Sequence, residues 1–297
     1  MSSASLAAAL ASLLYPGGQP SWEQPELTSL GTLPPRATLL PFETPEAAAT
    51  LDRRRACLLS LDGTWRFRLV DRPAQAPGAA GRAERWQDVE VPGLWTMLGY
   101  ESPHYTNVAM PFAEQPPRVP ERNPTGLYRR RFQLPRSWRG RRIVLHFGGV
   151  EGVLHVLVNG RPVGLAKDAR TPAEFDVSDL VLPPGQTNEV LAAVVRWSDA
   201  SFVEDQDQWW HAGIAREVCL YATRPTYIAD VFARGDLDDR YRDGVLTVTA
   251  QVAGPEADSA ALRAQLLDPR GQVVLAGRLE PSAAGHVLSE RVRRPRL

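Results

Sequence analysis

The stretch Val153-Leu-His-Val-Leu-Val-Asn-Gly-Arg-Pro-Val-Gly164 decides the fold class. A run of apolar, strand-forming residues over 153–158 is followed by Asn159-Gly160, and a second strand begins near Val163. Asn-Gly is the favoured pair for a type I′ turn because both positions tolerate a positive φ. The stretch therefore predicts a β-hairpin.

Strand patterns continue on both sides of this hairpin. From residue 127 onward apolar and charged residues alternate, so that Tyr128 and Phe132 share one face while Arg129 and Arg131 share the other. Further strands are predicted over 64–70, 143–147, 189–197 and 216–222. Many short strands with turn signals between them, and no convincing long amphipathic helix, are typical of a β-sandwich. We predict an all-β jelly roll, similar to galactose-binding domains, over residues 60–225.

A second β unit is expected after Arg224-Pro225. Its strand patterns cover 227–233, 244–253, 261–267, 272–278 and 286–292. These are about five strands, whereas an immunoglobulin-like sandwich needs about seven. Residues 226–297 are therefore predicted to form an incomplete immunoglobulin-like β-sandwich. Its open sheet edge should leave apolar residues such as Leu262, Leu266 and Val274 exposed.

Residues 1–59 contain many prolines and are expected to be an irregular segment. Within it, residues 4–14 form a short apolar run without a preceding Lys or Arg. We expect a short helix or a loose tail there rather than a signal peptide, and therefore a cytoplasmic protein.

Composition excludes several classes of function. The chain has 297 residues, 43% of them hydrophobic, and a net charge of zero. Its basic residues are spread along the chain, and all are arginine except Lys167, so no nucleic-acid partner is expected. No apolar run is long enough for a membrane span. Cys57 and Cys219 lack metal-ligand spacing, and we expect two free thiols, with one disulfide as the alternative.

The segment from Arg196 to Trp210 is the leading candidate for a binding site. It interleaves acids with aromatic residues, namely Asp199, Glu204, Asp205 and Asp207 with Trp197, Phe202, Trp209 and Trp210. Carboxylates accept hydrogen bonds from sugar hydroxyls or ligate a hard cation, and aromatic rings offer a flat apolar surface to a sugar. The alternative is a solvated acidic loop with core tryptophans, in which case loss of Asp199 or Glu204 should be mild.

Two histidines are further candidates. His155 lies within an apolar strand, where a structural role is expected. His104 precedes Thr106 by two residues in the same loop as Asn107, so it is a candidate for lining a pocket.

Several motifs together make the chain resemble the N-terminal part of the large bacterial β-galactosidases of glycoside hydrolase family 2. In family order they are Ser60-Leu-Asp-Gly-Thr-Trp-Arg-Phe67, Val91-Pro-Gly-Leu-Trp-Thr-Met-Leu-Gly-Tyr100, His104-Tyr-Thr-Asn-Val108, Asn123-Pro-Thr-Gly126, Asn159-Gly-Arg-Pro-Val-Gly164, Glu174-Phe-Asp176, and Arg196-Trp-Ser-Asp through Glu204-Asp-Gln-Asp207. The resemblance covers roughly residues 22–225.

The resemblance implies a role in sugar binding. It assigns galactose contacts to Asn107 and Asp207, and it leaves His104 and Trp209 as possible pocket residues. It also implies that Asp207 helps to ligate sodium, with the other ligands on a (β/α)8 barrel that this chain lacks. The two catalytic glutamates and the magnesium ligands of the family lie on that barrel, so no catalytic residue is expected in this chain.

Three functions stay open at this point. The first is the sugar-binding portion of a β-galactosidase that hydrolyses terminal non-reducing β-D-galactose residues, acting on a β-galactoside such as lactose. It would act once a barrel is attached, or is supplied by a separate barrel-containing chain or a homo-oligomer as its partner. The second is a non-catalytic carbohydrate-binding or assembly fragment. The third is the N-terminal part of a β-glucuronidase or β-mannosidase, against which Asp205-Gln-Asp207 and Tyr105-Thr-Asn107 argue.

Overall fold

The chain folds as an all-β protein, as the strand patterns predict. The structure, a computed structural model, describes residues 2–107, 109–167, 170–204 and 206–295. Its strands are β1 (Ser29–Leu30), β2 (Leu58–Ser60), β3 (Gly63–Val70), β4 (Gln87–Val91), β5 (Gly93–Leu94), β6 (His104–Thr106), β7 (Thr125–Gln133), β8 (Arg142–Phe147), β9 (Val150–Glu151), β10 (Val153–Val158), β11 (Arg161–Ala166), β12 (Ala173–Asp176), β13 (Thr187–Val195), β14 (Gln208–Trp210), β15 (Gly213–Ile214), β16 (Val218–Thr223), β17 (Tyr227–Leu237), β18 (Gly244–Ala253), β19 (Leu262–Leu267), β20 (Val273–Ser282) and β21 (Gly285–Val292). Its α-helices are α1 (Ser3–Leu14), α2 (Pro45–Ala49), α3 (Ala76–Ala80) and α4 (Ala200–Val203).

The polypeptide divides into two compact units. The first comprises residues 1–34, 59–139 and 143–221, and the second comprises 35–58, 140–142 and 222–297. Within the described residues, the sheet orders are β1-β11-β10-β13-β7-β3-β4, β12-β8-β16-β2, β14-β6, β5-β15-β9 and β17-β18-β21-β20-β19.

The predicted hairpin lies in the largest sheet. Strands β10 and β11 pair antiparallel, and the turn residues Asn159 and Gly160 have φ values of 49° and 66°. Both lie in the left-handed region that a type I′ turn requires. The Asn159 side chain also donates to the Leu180 carbonyl at 2.9 Å and accepts from the Glu189 amide, so the turn is fixed to its neighbours.

The largest sheet is covered on both of its faces. Every residue of β10 is buried, although alternate residues point to opposite sides. Val153 and Leu157 belong to an apolar cluster that also contains Leu14 of α1 and Trp22. The N-terminal segment is therefore an ordered cover for this sheet.

Residues 4–14, for which a short helix or a loose tail is expected, lie in helix α1. The Ser2 hydroxyl caps it by accepting from the Ser5 amide, and Leu10, Leu13 and Leu14 are buried. The region of residues 72–85 contains the short helix α3. Ala76, Ala79 and Ala80 of this region pack in the same cluster, because small side chains allow close approach to the sheet.

His155 has the structural role that its apolar strand predicts. The ring is fully buried, and its Nε2 lies 2.8 Å from the Ser21 hydroxyl. Its Nδ1 lies 3.4 Å from the Ala193 carbonyl oxygen. Burial lowers the pKa of His155 to about 4, so the ring is neutral at neutral pH.

The second unit contains one antiparallel sheet, β17-β18-β21-β20-β19, among its described residues. Its small core consists of Ala250, Leu279 and Leu288, and Leu262 packs against it. The expectation that Leu262 is exposed is therefore wrong, because the side chain faces this core. Val274 is half exposed, as expected.

Both cysteines are free thiols and buried, which confirms the first of the two alternatives. The Cys57 thiol donates to Glu43 at 3.2 Å, and burial raises its pKa to about 11. Within the described residues, none of the helices combines the length and the apolar character that a bilayer span requires.

Candidate functional site

The candidate site is built on a two-stranded ribbon of β6 and β14. The paired residues are Thr106 with Gln208, Tyr105 with Trp209, and His104 with Trp210. Asn107 and Asp207 each lie one position beyond the Thr106–Gln208 pair, and both are exposed. The antiparallel register thus brings the two predicted sugar-binding residues to the same end of the ribbon.

The exposed face of the ribbon combines a carboxylate with two aromatic rings. The Tyr105 and Trp209 side chains are 51% and 55% exposed, and their ring centroids lie 5.5 Å apart. The Tyr105 hydroxyl donates to Asp207 Oδ1 at 2.5 Å. The hydrogen bond to Asp207 and its negative charge raise the pKa of Tyr105. Asp207 is therefore oriented beside an apolar surface that is open to solvent.

The opposite face of the ribbon packs on the protein. Trp210 is buried, and its indole N–H donates to the Thr106 hydroxyl at 3.0 Å. Trp197 packs against Trp210 with ring centroids 5.5 Å apart, and the His104 ring stacks on Trp197 at 6.2 Å. Burial lowers the pKa of His104, and the Arg196 charge adds to this. His104 thus belongs to the aromatic stack, on the side away from Tyr105 and Trp209.

Polar contacts fix the strand end that precedes the acidic segment. The Asn123 side chain donates to the Trp197 carbonyl at 2.8 Å and accepts from the Trp197 amide at 2.9 Å. The buried Arg196 guanidinium donates to the Ser102 carbonyl at 3.1 Å and lies 4.6 Å from the Trp197 ring. Burial lowers the pKa of Arg196 to about 10. The cation therefore links the connection that carries β6 to the segment that carries β14.

The Gln208 side chain contacts Arg170, which forms an ion pair with Glu151. With its amide oriented so that the oxygen faces Arg170, Gln208 accepts from both terminal guanidinium nitrogens at 3.0 and 2.9 Å. The Arg170 Nε donates to Glu151 at 3.0 Å. The residue after Asp207 is thus linked through Arg170 to β9, an end strand of the β5-β15-β9 sheet.

The acids of the segment are not equivalent. Asp199 is 7% exposed, and it forms an ion pair with Lys167 at 2.7 Å. The interpretation of Asp199 as part of a solvated face is therefore wrong, because the side chain points inward to the only lysine. Asp205 lies outside the described residues.

The ribbon offers a hard cation one carboxylate as a ligand. Within the described parts of the chain, no group of three or more His, Cys, Asp or Glu side chains converges as a metal site. Asp207 is exposed and has one oxygen bonded to Tyr105. A carboxylate with a second oxygen suits one ligand position among several for a hard cation.

Sequence reasoning singled out Asn107, Asp207, His104 and Trp209, but it missed the residues that hold them. Tyr105 stands two positions from Asn107, so strand alternation alone could have placed both on one face. The partners Lys167 and Arg170 are distant in sequence from the segment, and no local signal indicated them.

Comparison with known proteins identifies the family to which this chain belongs. The profile of the sugar-binding domain of glycosyl hydrolases family 2 matches residues 58–225. A β-galactosidase of Psychromonas ingrahamii is 38% identical over 85% of this chain and 24% of its own length. One of Photobacterium profundum is 38% identical over 89% of this chain and 25% of its own length. The chain thus spans about a quarter of the length of these relatives.

Solved structures give the fold. A β-glucuronidase of Bifidobacterium dentium, in complex with coumarin-3-O-glucuronide, matches with a TM-score of 0.61 at 20% identity. The match covers 81% of this chain and 42% of that one. A β-glucuronidase of Ruminococcus gnavus matches with the same TM-score at 19% identity, covering 81% of this chain and 39% of that one. At this level of identity the likeness establishes the shared architecture.

Proposed function

Because the chain belongs to glycosyl hydrolase family 2 and carries its sugar-binding domain, we propose that it is the N-terminal sugar-binding portion of a β-galactosidase. The activity is hydrolysis of terminal non-reducing β-D-galactose residues in β-galactosides such as lactose. The observation that carries the proposal is the exposed face of the ribbon, where Asp207 lies beside Tyr105 and Trp209 and close in register to Asn107.

Each residue of that face has a role in the proposal. Asp207 accepts hydrogen bonds from two galactose hydroxyls, and the Asn107 amide both donates to and accepts from a hydroxyl. The Trp209 ring supplies the apolar surface on which the sugar ring packs. Tyr105 fixes the Asp207 carboxylate through its hydroxyl. Asp207 also supplies one ligand to sodium.

The remaining parts of the reaction belong to a barrel outside this chain. Retaining glycosidases need an acid/base carboxyl and a nucleophilic carboxylate about 5 Å apart. The proposal assigns both glutamates, the magnesium ligands and the other sodium ligands to that barrel. In the proposal that barrel is attached in the same polypeptide or supplied by a separate chain or a homo-oligomer, and the compartment is the cytoplasm.

A chimera tests this proposal. The chain replaces the N-terminal quarter of the Psychromonas ingrahamii relative, and hydrolysis of chromogenic β-galactoside, β-glucuronide and β-mannoside is measured. We expect turnover of the β-galactoside alone. Preference for the β-glucuronide or the β-mannoside would support the sister specificity instead. A folded, inactive chimera whose N-terminal portion still binds galactose would support a non-catalytic binding module.

A further inference from the structure

A buried ion pair lies beneath the segment that carries Asp207. Lys167 Nζ lies 2.9 and 2.7 Å from the two Asp199 oxygens and donates to the Gln24 carbonyl at 2.7 Å. Both side chains are almost fully buried. An ammonium group has three N–H donors, and all three have an acceptor here. The geometry explains why a lysine occupies this position in a chain whose other basic residues are arginine.

Asp199 connects this pair to the start of the acidic segment. Its Oδ1 accepts from the Ala200 amide at 2.7 Å, and its own amide donates to the Trp22 carbonyl at 2.8 Å. Asp199 is thus bonded to Lys167, to the N-terminal segment and to the first turn of α4. The chain then runs from α4 to Asp207 and β14.

Helix α4, which begins after Asp199, is itself packed on the aromatic residues beside β14. The Phe202 ring lies 5.5 Å from the Phe112 ring, and the Phe112 ring lies 5.3 Å from the Trp197 ring. Trp197 in turn contacts Trp210 of β14 with ring centroids 5.5 Å apart. A shift of Asp199 would therefore be passed through α4 and these rings to β14 and the neighbouring Asp207.

We propose that the Lys167–Asp199 ion pair is a positioning device for Asp207. Removing Lys167 leaves a carboxylate buried without its counter-charge, and such a group moves toward water or takes up a proton. Either change disturbs the turn at Asp199 and displaces Asp207 from Tyr105. The consequence for sugar binding rests on the proposed function, whereas the displacement itself does not.

The test uses the full chain labelled with 5-fluorotryptophan and observed by 19F NMR at neutral pH. Trp209 lies against Tyr105, so its signal reports on the ribbon, and Trp209→Phe assigns that signal. In Lys167→Met we expect the Trp209 signal to shift or broaden while those of the core residues Trp65 and Trp95 stay unchanged. Galactose affinity, followed on the same signal, should fall by about tenfold or more, as expected when a buried charge loses its partner.

Two further variants keep the test decisive. Asp199→Asn retains the side-chain volume and an oxygen for the Ala200 amide, so it serves if Lys167→Met does not fold, and we expect a smaller shift in the same direction. Arg131→Met is the matched control, since it removes an exposed ion pair to Glu189 and should leave the Trp209 signal in place.

The outcomes separate the two proposals. An unchanged Trp209 signal in a folded Lys167→Met or Asp199→Asn chain would overturn the positioning role. A wild-type chain that does not bind galactose, yet whose Trp209 signal moves on loss of Lys167, would overturn the proposed sugar binding and support the positioning role.

Discussion

Asp207 and Asp199 lie in one short segment and have the same side chain, yet their surroundings differ. Asp207 is exposed and bonded to a phenol, whereas Asp199 is buried and bonded to an ammonium. The sequence pattern of acids and aromatics indicated a sugar site. It could not separate these two residues, because Lys167, the partner of Asp199, lies 32 residues earlier in the chain.

We predict that Asp207→Ala in the assembled chimera loses on the order of 2–4 kcal/mol of transition-state stabilisation, as expected for charged hydrogen bonds left unmade in a polar site. Asn107→Ala should cost less, because a neutral amide forms weaker hydrogen bonds. The measurement is kcat/KM for β-galactoside hydrolysis, with and without sodium. Asp207→Ala should also abolish any sodium stimulation.

Glu204→Ala is the matched control for that series, since it removes a nearby acid outside the ribbon. It should change kcat/KM only slightly. Equal losses for Asp207→Ala and Glu204→Ala would show that general negative charge matters rather than the contact assigned to Asp207.

We predict that His155 makes the protein sensitive to acid. Its pKa is about 4 when folded, against an ordinary value of 6.5. Above pH 6.5 both states are neutral and the stability is complete. As the pH falls from 6.5 to 4 the unfolded state alone gains the proton, so the free energy of unfolding should drop by about 3 kcal/mol.

Urea unfolding of wild type and of His155→Gln between pH 4 and 7.5 measures this effect. In His155→Gln the free energy of unfolding should fall less between pH 6.5 and 4, because the contribution of His155 is removed. His286→Gln, in the sheet of the second unit, should retain the wild-type fall. If the free energy of unfolding of His155→Gln depends on pH as that of the wild type does, the acid sensitivity belongs to other groups.

At the scale of elements, the sequence predicted those features that depend on residues close together in the chain. The β10–β11 hairpin follows from Asn159-Gly160, since this pair favours the two-residue turn. The register then shifts between Val156 and Leu157, which the turn does not predict. The alternation in β7 predicted a strand with one apolar face, but Leu127 and Tyr128 are both buried there. This strand lies between a sandwich core and the N-terminal cover, and burial on both faces removes the alternation.

The β6–β14 ribbon could not be predicted in this way. Each strand has three residues, and pairing joins segments about a hundred residues apart. Such pairing depends on tertiary contacts, chiefly the tilted Trp197–Trp210 ring contact and the Trp210–Thr106 hydrogen bond, rather than on the propensity of either strand. Naming Asn107 and Asp207 as neighbours therefore came from the family resemblance.

We predict that the N-terminal cover contributes substantially to stability. Leu14 of α1 is fully buried in the cluster against the largest sheet. Leu14→Ala should lower the free energy of unfolding by about 2–5 kcal/mol, since it removes buried methyl groups and leaves a cavity. Chemical denaturation measures the change. Leu51→Ala, at an 87% exposed position, should have little effect, and an equally small effect of Leu14→Ala would contradict the role of the cover.

At the scale of the whole molecule, we predict that the isolated chain does not hydrolyse β-galactosides. The proposed function places both catalytic glutamates on a barrel outside the chain. A chromogenic β-galactoside assay of the purified chain should give background rates, and turnover should be gained in the chimera. Turnover by the purified chain that disappears on mutation of one of its own acids would contradict this prediction.

We also predict association through the second unit. In the described sheet β17 lies at one end of the strand order, and its Phe232 is 64% exposed. An open strand edge with apolar side chains favours pairing between chains. Size-exclusion chromatography should show concentration-dependent association that Phe232→Lys reduces. Association unchanged by Phe232→Lys would point to another surface.

The single lysine has a practical consequence for chemical labelling. Its amine is the only one on any side chain of the protein, and it is both buried and protonated against a carboxylate. Acylating reagents and amine-directed crosslinkers therefore find no reactive side chain on the folded chain. Acetylation of Lys167 requires the ion pair to open, and the modification is irreversible. The rate of acetylation, followed by mass spectrometry, would therefore report how often the pair opens without any engineered probe.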